Sequence, residues 1–516
     1  MATRWTSLAS SAAWLYRESG ISALYFTGKD AWLLILSRTC RMFAFRAATL
    51  TIAQFFSELG FSDLRIGIFM SLTLLGDVVL GLVITLMADN LGRRKVLIAG
   101  GLLMSTSGAV FSYFENFWIL LFAAITGVLS AGGADFGPFR AIEESMLSHI
   151  TVPKTRADVL AWYVTTSSLG AAAGTEFAGR FVESMNKRQG WNWLDTYHAT
   201  FWVYMLMGAF NVLFAALMSS NCEFNHDSGS DSDSELSDEA AAGLLRDSIE
   251  EGEDARRRRL SVSSAAPRHT SRFSHISSGS RSVMYRLWFL LTIDSLADGM
   301  VSHTLTTYFL DLKFKLSKGT LGTVFSVAQI LGTITTVFAG PLSRHLGLIK
   351  TMVYTHLPSS ISVLVFPLPS GFAITVLLLF IRMGLNNMDQ APRSAFIAAV
   401  VKPEERTAVM GITTTLRTLA MATGPLLTGG LAESGKFWIA FVVGGLLRIM
   451  YDLGLWGMFV KMDLHTHEAH HEDTVSLGET SDEEDLESLG ESSEQRKSGE
   501  HQHAGPKAKG GDESLF

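Results

Sequence analysis

The chain has 516 residues, of which 48% are hydrophobic and 18% are charged, whereas globular domains average about 25% charged residues. The charges are concentrated in residues 219–282, with 12 acids and 8 bases, and in residues 461–516, with 15 acids and 5 bases. The other 396 residues are only about 13% charged and carry a net charge of about +7, which excludes an array of soluble domains with polar surfaces. The two cysteines, Cys40 and Cys222, are too few for a disulfide framework, and neither has the spacing of a metal site.

Residues 1–32 precede the first apolar run, and they carry Arg4 and Arg17 with no acid before Glu18. This basic pattern resembles a transit peptide, and an interfacial helix ahead of the first membrane span explains it equally well. We expect residues 1–32 to form a cytosolic N-terminal segment.

Twelve apolar runs follow, each close to the roughly 20 residues that a helix needs to cross a bilayer. We number them segments 1 to 12, at residues 33–57, 65–87, 96–114, 117–139, 157–180, 197–219, 284–309, 319–342, 350–370, 372–391, 407–430 and 437–460. They predict an all-α polytopic membrane protein whose 12 transmembrane helices form two pseudo-symmetric six-helix bundles, at residues 33–219 and 283–460. Since the count is even and Lys and Arg favour the junctions after even-numbered segments, both ends of the chain are predicted to be cytosolic.

Two short patterns recur in both halves of the chain. Residues 91–95 after segment 2 read Leu-Gly-Arg-Arg-Lys, and residues 346–350 after segment 8, 255 positions later, read Leu-Gly-Leu-Ile-Lys. Asp135-x-x-Pro138 in the first half likewise corresponds to Asp389-x-x-Pro392 in the second. Parallel six-helix repeats of this kind predict a substrate path at the interface between the halves.

The junction after segment 2 also carries a family likeness. Residues 85–95, Thr-Leu-Met-Ala-Asp-Asn-Leu-Gly-Arg-Arg-Lys, resemble the loop signature Gly-x-Leu-Ala-Asp-Arg-x-Gly-Arg-Lys of the major facilitator superfamily. Thr85 and Asn90 depart from the signature in kind. The resemblance implies that a set of loop residues gates transport, namely Asp89, Gly92, Arg93, Arg94 and Lys95.

A second element of the superfamily is present in a different place from the usual one. Gly424, Pro425 and Gly429 in segment 11 resemble the glycine-proline part of the superfamily's antiporter motif. That motif belongs in helix 5, where residues 170–174 read Gly-Ala-Ala-Ala-Gly without the proline. We therefore expect the segment 11 residues to serve helix packing and gating, and antiport does not follow from them.

Further stretches are similar to those of a largely uncharacterised group of the superfamily found in bacteria and fungi. These stretches are residues 37–43, 75–77, 135–139, 355–359 and 402–407. The resemblance implies the transporter fold, and it leaves the substrate open because the superfamily carries sugars, ions, peptides, drugs and metabolites.

The loop signature has a physical interpretation of its own. Gly92 permits a tight reversal between helices, and Asp89 can cap the following helix and face its dipole. We expect Arg93 and its basic neighbours to latch the two halves together in one state of the transport cycle. The alternative is that these cations only set the membrane topology.

Ionisable residues inside the apolar segments are costly there and usually serve function. The candidates for proton coupling or substrate binding are Asp77, Asp294, Asp298, Arg41, Arg46, Glu176, Asp135, Arg382 and Asp389. We hypothesise that Asp77 or Asp294 couples transport to protons, with Arg41 or Arg46 as counter-charge or substrate anchor. Because Arg41 and Asp294 occupy near-equivalent positions, a pair across the cavity is conceivable, and static ion pairs between helices are the alternative.

Two more residues form an expected local pair. Arg448 and Asp452 lie four positions apart in segment 12, which places them on one helix face. We interpret them as an ion pair within that helix, without a role in transport.

The two polar segments are expected to be disordered and cytosolic, as a linker at residues 220–282 and an acidic tail at residues 461–516. Ser232 and Ser234 precede acids and suit an acidophilic kinase, whereas Ser261 follows arginines and suits a basophilic one. An unregulated tether is equally compatible with the linker. In the tail, four histidines are weak candidates for metal binding, with an exposed polar run as the alternative: His465, His467, His470 and His471.

The sequence thus predicts a secondary active transporter that moves a small solute by alternating access, with proton coupling and export of metabolites or xenobiotics as working hypotheses. The alternative is a non-transporting membrane sensor with a phosphoregulated cytosolic loop. An enzyme is not expected, since no GxSxG or Walker pattern occurs. The expected partners are a small solute, protons, the lipid bilayer and protein kinases, without nucleic acid or cofactor, in the plasma membrane or an organellar membrane.

Overall fold

In the computed structural model, the described residues are 21–127, 129, 138–219, 222, 278–401 and 406–460. Within these ranges the regular structure is α-helical, and no strand is present. The helices of the first half are α1 (Ile21–Thr27), α2 (Lys29–Glu58), α3 (Asp63–Leu91), α4 (Arg93–Tyr113), α5 (Phe117–Thr126), α6 (Pro138–Ile150), α7 (Pro153–Asn186) and α8 (Trp193–Leu217).

The helices of the second half follow the same plan. They are α9 (Ser278–Met300), α10 (His303–Phe314), α11 (Lys318–Val337), α12 (Ala339–Leu346), α13 (Leu348–Val365), α14 (Phe372–Asn386), α15 (Gln390–Val400), α16 (Arg406–Glu433) and α17 (Phe437–Phe459). We call the face on which α2 begins and α17 ends the near face, and the face on which α2 ends and α3 begins the far face.

Each of the twelve predicted segments contains helix within the described residues, and segments 7, 8 and 10 each consist of two consecutive helices. By length and composition, six helical stretches of the described residues can cross a membrane: Asp63–Gly81, Arg93–Tyr113, Trp193–Leu217, Lys318–Val337, Phe372–Ile397 and Phe437–Phe459. Helices α2, α7 and α9 carry several charged residues along their length, which lowers their hydropathy. The prediction of an all-α membrane fold in two halves is confirmed.

The repeated junctions have the same backbone geometry in both halves. Gly92 and Gly347 immediately precede α4 and α13, with φ angles of +90° and +86°. L-residues adopt such angles only at a cost, and glycine does so freely. The predicted tight reversal at Gly92 is therefore present, and it recurs 255 positions later in the second half.

Polar residues start several helices at the far face. The Asn116 side chain accepts a hydrogen bond from the Trp118 amide (3.0 Å) at the start of α5, and Asn192 forms a capping box with Asp195 at the start of α8. The Ser317 side chain caps α11 in the same way. These side chains satisfy amides that lack a partner in the first turn of a helix, which explains where the apolar helices begin.

Small residues allow the helices within each half to approach closely. In the predicted Gly-Ala-Ala-Ala-Gly run of α7, a Cβ added at Gly170 would lie 2.6 Å from the Thr39 carbonyl oxygen of α2. In the second half, a Cβ added at Gly424 of α16 would overlap the backbone of Gly299 in α9. The glycines therefore serve helix packing at these positions.

Two equivalent helix crossings join the halves, α3 with α16 and α11 with α7, and α10 also packs against α2. A Cβ added at Gly67 would lie 3.0 Å from the Gly429 Cα, and one added at Gly322 would lie 3.0 Å from the Gly179 Cα. Gly322 follows Gly67 by 255 positions, so both crossings use corresponding residues of the repeat. The carbonyl of Pro425 also faces Gly67, which places the proline at the same crossing.

Candidate functional site

A cavity of about 460 Å³ lies between the two halves. Its walls come from α2, α6 and α7 of the first half and from α9, α10, α11, α14, α15 and α16 of the second. The cavity lies where the repeat predicted a substrate path. Its charged lining residues are Arg38, Arg46, Arg140, Asp298, Arg382, Arg393 and Arg417.

The far end of the cavity is closed by two equivalent contacts between the halves. Glu433 at the end of α16 accepts a hydrogen bond from the Leu64 amide at the start of α3 (2.9 Å). Glu183 near the end of α7 accepts one from the Gly319 amide at the start of α11 (2.9 Å). Glu433 and Gly319 follow Glu183 and Leu64 by 250 and 255 positions, so each half caps a helix of the other.

Two further hydrogen bonds strengthen this closed end. The Tyr308 hydroxyl of α10 donates to Asp63 Oδ1 (2.9 Å), and the Thr323 hydroxyl of α11 donates to Glu176 Oε1 (3.1 Å). Glu176 also pairs with Arg180 one turn further along α7. The predicted candidate Glu176 therefore lies in the interface between the halves, beside the closed end.

The near end of the cavity is open. Arg140 of α6 and Gln390 and Ser394 of α15 line it there and are exposed to solvent. Arg140 pairs with Glu144 on the same helix (2.7 Å). The described structure is thus one with a central cavity that is accessible from the near face alone.

Behind the cavity wall, the first half contains a compact cluster of buried charges. Arg41 of α2 donates two hydrogen bonds to Glu143 of α6, Nη1 to Oε1 at 2.9 Å and Nη2 to Oε2 at 2.5 Å. The Tyr163 hydroxyl of α7 donates to Glu143 Oε2 (2.7 Å) and accepts from Arg38 Nη1 (2.9 Å). The Glu143 carboxylate of α6 is therefore bound by side chains from two other helices, α2 and α7.

Glu143 was not among the predicted site residues, because segment 4 was expected to end at residue 139. Helix α6 instead continues to Ile150, which brings Glu143 into the bundle. The signal was present in the sequence, since Phe139, Glu143 and Met146 follow one another at helical spacing on a buried face.

The carboxylate of Asp77 is buried in the first half as well. It is 7% exposed, and its Oδ1 accepts no hydrogen bond from the described residues. Tyr204 lies within electrostatic range of both Asp77 and Arg41. Asp77 therefore faces the interior of the bundle, as expected of an ionisable residue in a membrane span.

The second half contains a larger network centred on His356 of α13. His356 Nδ1 lies 2.8 Å from Asp452 Oδ1, and Arg448 Nη2 lies 2.7 Å from His356 Nε2. Since a guanidinium only donates, His356 accepts at Nε2 and donates from Nδ1 to Asp452. The carboxylate of Asp294 in α9 lies 3.6 Å from the same Nε2 atom, and its Oδ1 accepts no hydrogen bond from the described residues.

Arg448 and Asp452 do not form the expected local pair. Arg448 of α17 contacts Asp298 Oδ1 (3.5 Å) and the side chain of Asn386, besides His356. Asp452 accepts hydrogen bonds from His356 and from Ser360, which are both in α13. The two residues therefore connect α17 to three other helices rather than to each other, because both side chains point into the bundle.

The conceivable pair between Arg41 and Asp294 is also not formed. Arg41 binds Glu143 in its own half, and Asp294 lies 3.8 Å from Arg393 and 4.0 Å from Arg448 in the other. Arg41 and Asp294 thus each pair within their own half, although they occupy equivalent positions in the repeat.

Two arginines of the cavity wall have uncharged hydrogen-bond partners in the described structure. Arg382 of α14 donates to the Thr306 hydroxyl (2.8 Å) and to the Val301 carbonyl. Arg417 of α16 donates from Nε to the Ser295 hydroxyl (3.0 Å). In contrast, Arg393 pairs with Asp389 (3.1 Å), the residue that directly precedes its own helix.

In the loop signature, Arg94 has a defined structural role. Its Nε donates to the Ala215 carbonyl (3.0 Å), and its Nη2 donates to the Ala216 carbonyl. These carbonyls belong to the last turn of α8, where a cation interacts favourably with the helix dipole. Arg94 therefore holds the start of α4 against the end of α8 at the near face.

Several predicted site residues lie outside the part of the structure that is described. These are the side chain of Asp89 and residues Asp135, Ser232, Ser234, Ser261, His465, His467, His470 and His471. Among the described residues, no group of three or more His, Cys, Asp or Glu side chains has the arrangement of a metal site.

Comparison with known proteins agrees with this architecture. A family model described as Major Facilitator Superfamily matches residues 34–267 and 287–481. The chain is 29% identical over 438 residues to Uncharacterized membrane protein YJR124C of Saccharomyces cerevisiae, across 84% of this chain and 95% of the yeast protein. This fungal relative agrees with the resemblance to a group found in bacteria and fungi.

Solved transporter structures share the fold. The nucleoside transporter NupG superposes with a TM-score of 0.61 at 11% identity, over 84% of this chain and 99% of that one. A peptide transporter POT in complex with sulfate gives 0.56 at 14% identity, over 83% and 94%. An inward-facing, unoccupied bacterial homologue of the human lysosomal transporter Spinster gives 0.54 at 13%, over 83% and 94%. The family and these neighbours support a membrane transporter rather than an enzyme.

Proposed function

Because the chain belongs to the Major Facilitator Superfamily, we propose that it is a secondary active transporter that moves a small solute by alternating access. The observation that carries this proposal is the cavity between the two repeats, which is open at the near face and closed at the far face. A path of this kind, at the interface of two six-helix repeats, is the arrangement that rocking of one repeat against the other requires.

The direction of the opening follows from the distribution of cations. Lys and Arg favour the near-face junctions, which Gly92–Lys95 and Arg344–Lys350 exemplify, and such junctions are cytosolic by the positive-inside rule. The described structure is then the cytosol-facing state. In the opposite state, the contacts of Glu183 and Glu433 at the far face must separate.

The loop between α3 and α4 is the second part of the proposal. Arg94 holds α4 to the end of α8, so the loop moves with the first half. Asp89 and the basic residues after Gly92 then close the near face when the halves approach each other. An Asp89→Asn variant is expected to insert normally and to lose transport, and unchanged transport would contradict this gating role.

Proton coupling is assigned to the network around His356. In the described arrangement, Nε2 of His356 accepts from Arg448, and Asp294 lies beyond it with an oxygen that accepts no hydrogen bond from the described residues. A proton on Nε2 would remove that acceptor, repel Arg448 and attract Asp294. Asp452, Ser360 and Tyr451 also contact the ring, and only Asp452 among them carries a charge that favours the proton.

Distances between paired spin labels test alternating access directly. In a background with Cys40 and Cys222 replaced by serine, one label pair at Ser62 and Ser434 reports the far face. A second pair at Leu91 and Leu346 reports the near face, and all four labelled residues are exposed.

For a transporter, we expect two populations in which a long far-face distance accompanies a short near-face distance. Acidification from pH 8 to pH 5 should shift the balance between these populations if His356 is the coupling residue. A single unchanging distance at both faces would contradict alternating access and favour a static sensor.

A further inference from the structure

The walls of the cavity carry far more positive than negative charge. Six arginines and one aspartate, Asp298, are the side chains of the lining that are charged at neutral pH. Each half contributes three of the arginines: Arg38, Arg46 and Arg140 from the first, and Arg382, Arg393 and Arg417 from the second. A cleft lined by one sign of charge with low-dielectric walls concentrates ligands of the opposite sign.

Part of this positive charge is neutralised by ion pairs within the protein. Arg393 is paired with Asp389 and Arg140 with Glu144. Arg382, however, is buried against Thr306 and the Val301 carbonyl, which orient its guanidinium without neutralising it.

Arg417 is held in the same way by the Ser295 hydroxyl, and its side chain is half-buried in the cavity wall. Asp298 lies within electrostatic range of both arginines, but neither forms an ion pair with a carboxylate of the described residues. Removing a cation from water without a paired acid is costly, so binding of an anion between Arg382 and Arg417 would be favoured.

The break between α9 and α10 adds neutral hydrogen-bonding groups to the same wall. Val301, Ser302 and His303 line the cavity at the start of α10, where the helix dipole favours negative charge. The His303 ring packs against Phe325 (4.7 Å between centroids), and its buried Nδ1 makes no hydrogen bond with the described residues. His303 also lies within electrostatic range of Arg46 and Arg382, which come from opposite halves.

We propose, on the basis of the transport function inferred above, that the substrate is a small organic anion with at least two acidic groups. One acidic group binds Arg382 and Arg417 in the second half, beside His303, and another faces Arg46 in the first half. The planar guanidinium binds carboxylate and phosphate oxygens in a bidentate manner, so both chemistries fit these residues. By neutralising arginines on both walls, the anion also removes the repulsion that opposes closure of the cavity.

The test measures ligand binding to the full-length protein in nanodiscs, from the rise in its midpoint of thermal unfolding as each probe is titrated. The carboxylate arm uses citrate and glutarate, and the phosphate arm uses pyrophosphate and fructose 1,6-bisphosphate, so that every anionic probe carries at least two acidic groups. Putrescine, choline and glucose represent cationic and neutral ligands of similar size. We expect stabilisation in at least one anion arm and none by the cations, and the arm that responds identifies the acidic group.

Variants that remove a positive charge test whether the anion binds at these arginines. Arg382→Gln and Arg417→Gln are each expected to weaken anion binding about 10- to 100-fold, because each loses hydrogen bonds between charged groups. Arg382→Lys, which retains the charge, guards against a folding defect in the first variant. Arg188→Gln, an exposed arginine at the far face, is the matched control and should bind like the unaltered protein.

Three results would overturn the anion proposal: no stabilisation by any anion at millimolar concentration, stabilisation by putrescine or choline, or anion binding that neither glutamine variant weakens. The spin-label distances separate this outcome from failure of the transport function. Alternation without anion binding rejects the anionic substrate alone, whereas arginine-dependent anion binding without any change at either face rejects transport.

Discussion

The two halves share a backbone plan and close the far face with equivalent contacts, yet their buried charges are organised differently. In the first half, Glu143 is saturated by Arg41 and Tyr163. In the second half, His356 stands between Arg448 and two aspartates, and one oxygen of Asp294 has no hydrogen-bond donor in the described structure. In the transport cycle proposed above, we infer that the symmetric contacts guide the movement of the halves and that the asymmetric charges place the proton response in the second half.

This difference has an energetic basis. Removing one partner of a buried ion pair strongly destabilises the fold, so we expect Glu143 and Arg41 of the first half to stay paired. A histidine titrates near neutral pH and can accept or donate at the same atom, so the second half can rearrange its hydrogen bonds when it gains or loses a proton.

The largest expected effect on stability comes from breaking the buried pair of Glu143 and Arg41. Glu143→Gln removes the carboxylate from a buried guanidinium and should lower the free energy of unfolding by about 3–5 kcal/mol. The neighbouring Glu144→Gln breaks only the exposed pair with Arg140 and should cost at most about 1 kcal/mol. Denaturant unfolding in detergent measures both, and equal losses would show that the first half is not held by its buried pair.

A second prediction concerns His356 in the second half. His356→Gln keeps a hydrogen-bonding side chain but cannot be protonated, and it should abolish the pH dependence of the spin-label distances at a stability cost of about 1–3 kcal/mol. His198→Gln is the matched control in the first half, where His198 contacts the Phe111 carbonyl (2.8 Å). If His198→Gln removes the pH response and His356→Gln does not, the roles of the halves are reversed.

The third prediction tests the symmetric crossings. Gly67→Ala and Gly322→Ala each place a methyl group against a glycine of the other half, and overpacking of this kind costs about 1–3 kcal/mol. Both should lengthen the far-face spin-label distance to a similar extent, since they affect equivalent contacts. Gly457→Ala, which has open space around it, is the control, and unequal responses of the first two variants would refute the equivalence of the crossings.

The smallest expected effect on the far-face equilibrium comes from the helix caps formed by Glu183 and Glu433. Hydrogen bonds from Lys187 and Ser317 hold the pKa of Glu183 below its usual range. A lowered pKa means that this contact is fully present above the ordinary pKa of glutamate and is lost as the pH falls through the lowered value.

Glu183→Gln should therefore shift the far-face equilibrium by no more than about 1 kcal/mol and remove only the acid-dependent part of that shift. Glu433→Gln tests the equivalent cap in the other half. A shift of several kcal/mol in either variant would show that the caps, rather than the glycine crossings, hold the far face closed.

The candidate site could be anticipated from the sequence only in part. Asp77, Asp294 and Arg382 were singled out because charges in apolar runs are costly, and the structure places all three in the interior. The sequence does not point to His356, because a single histidine in an apolar run carries no distinctive pattern. Its importance depends on Asp452, 96 positions away. The predicted pair of Arg448 and Asp452 is wrong, because helical spacing shows which residues share a face but not what that face contacts.

The sequence by itself determined the helical membrane architecture, the division into two repeats and the reversals at Gly92 and Gly347, since hydropathy and glycine geometry act over a few neighbouring residues. Only the tertiary structure decided which arginines became neutralised and which faced the cavity. The reason is that a long guanidinium side chain can reach several helices, and the partner that it meets depends on how those helices cross.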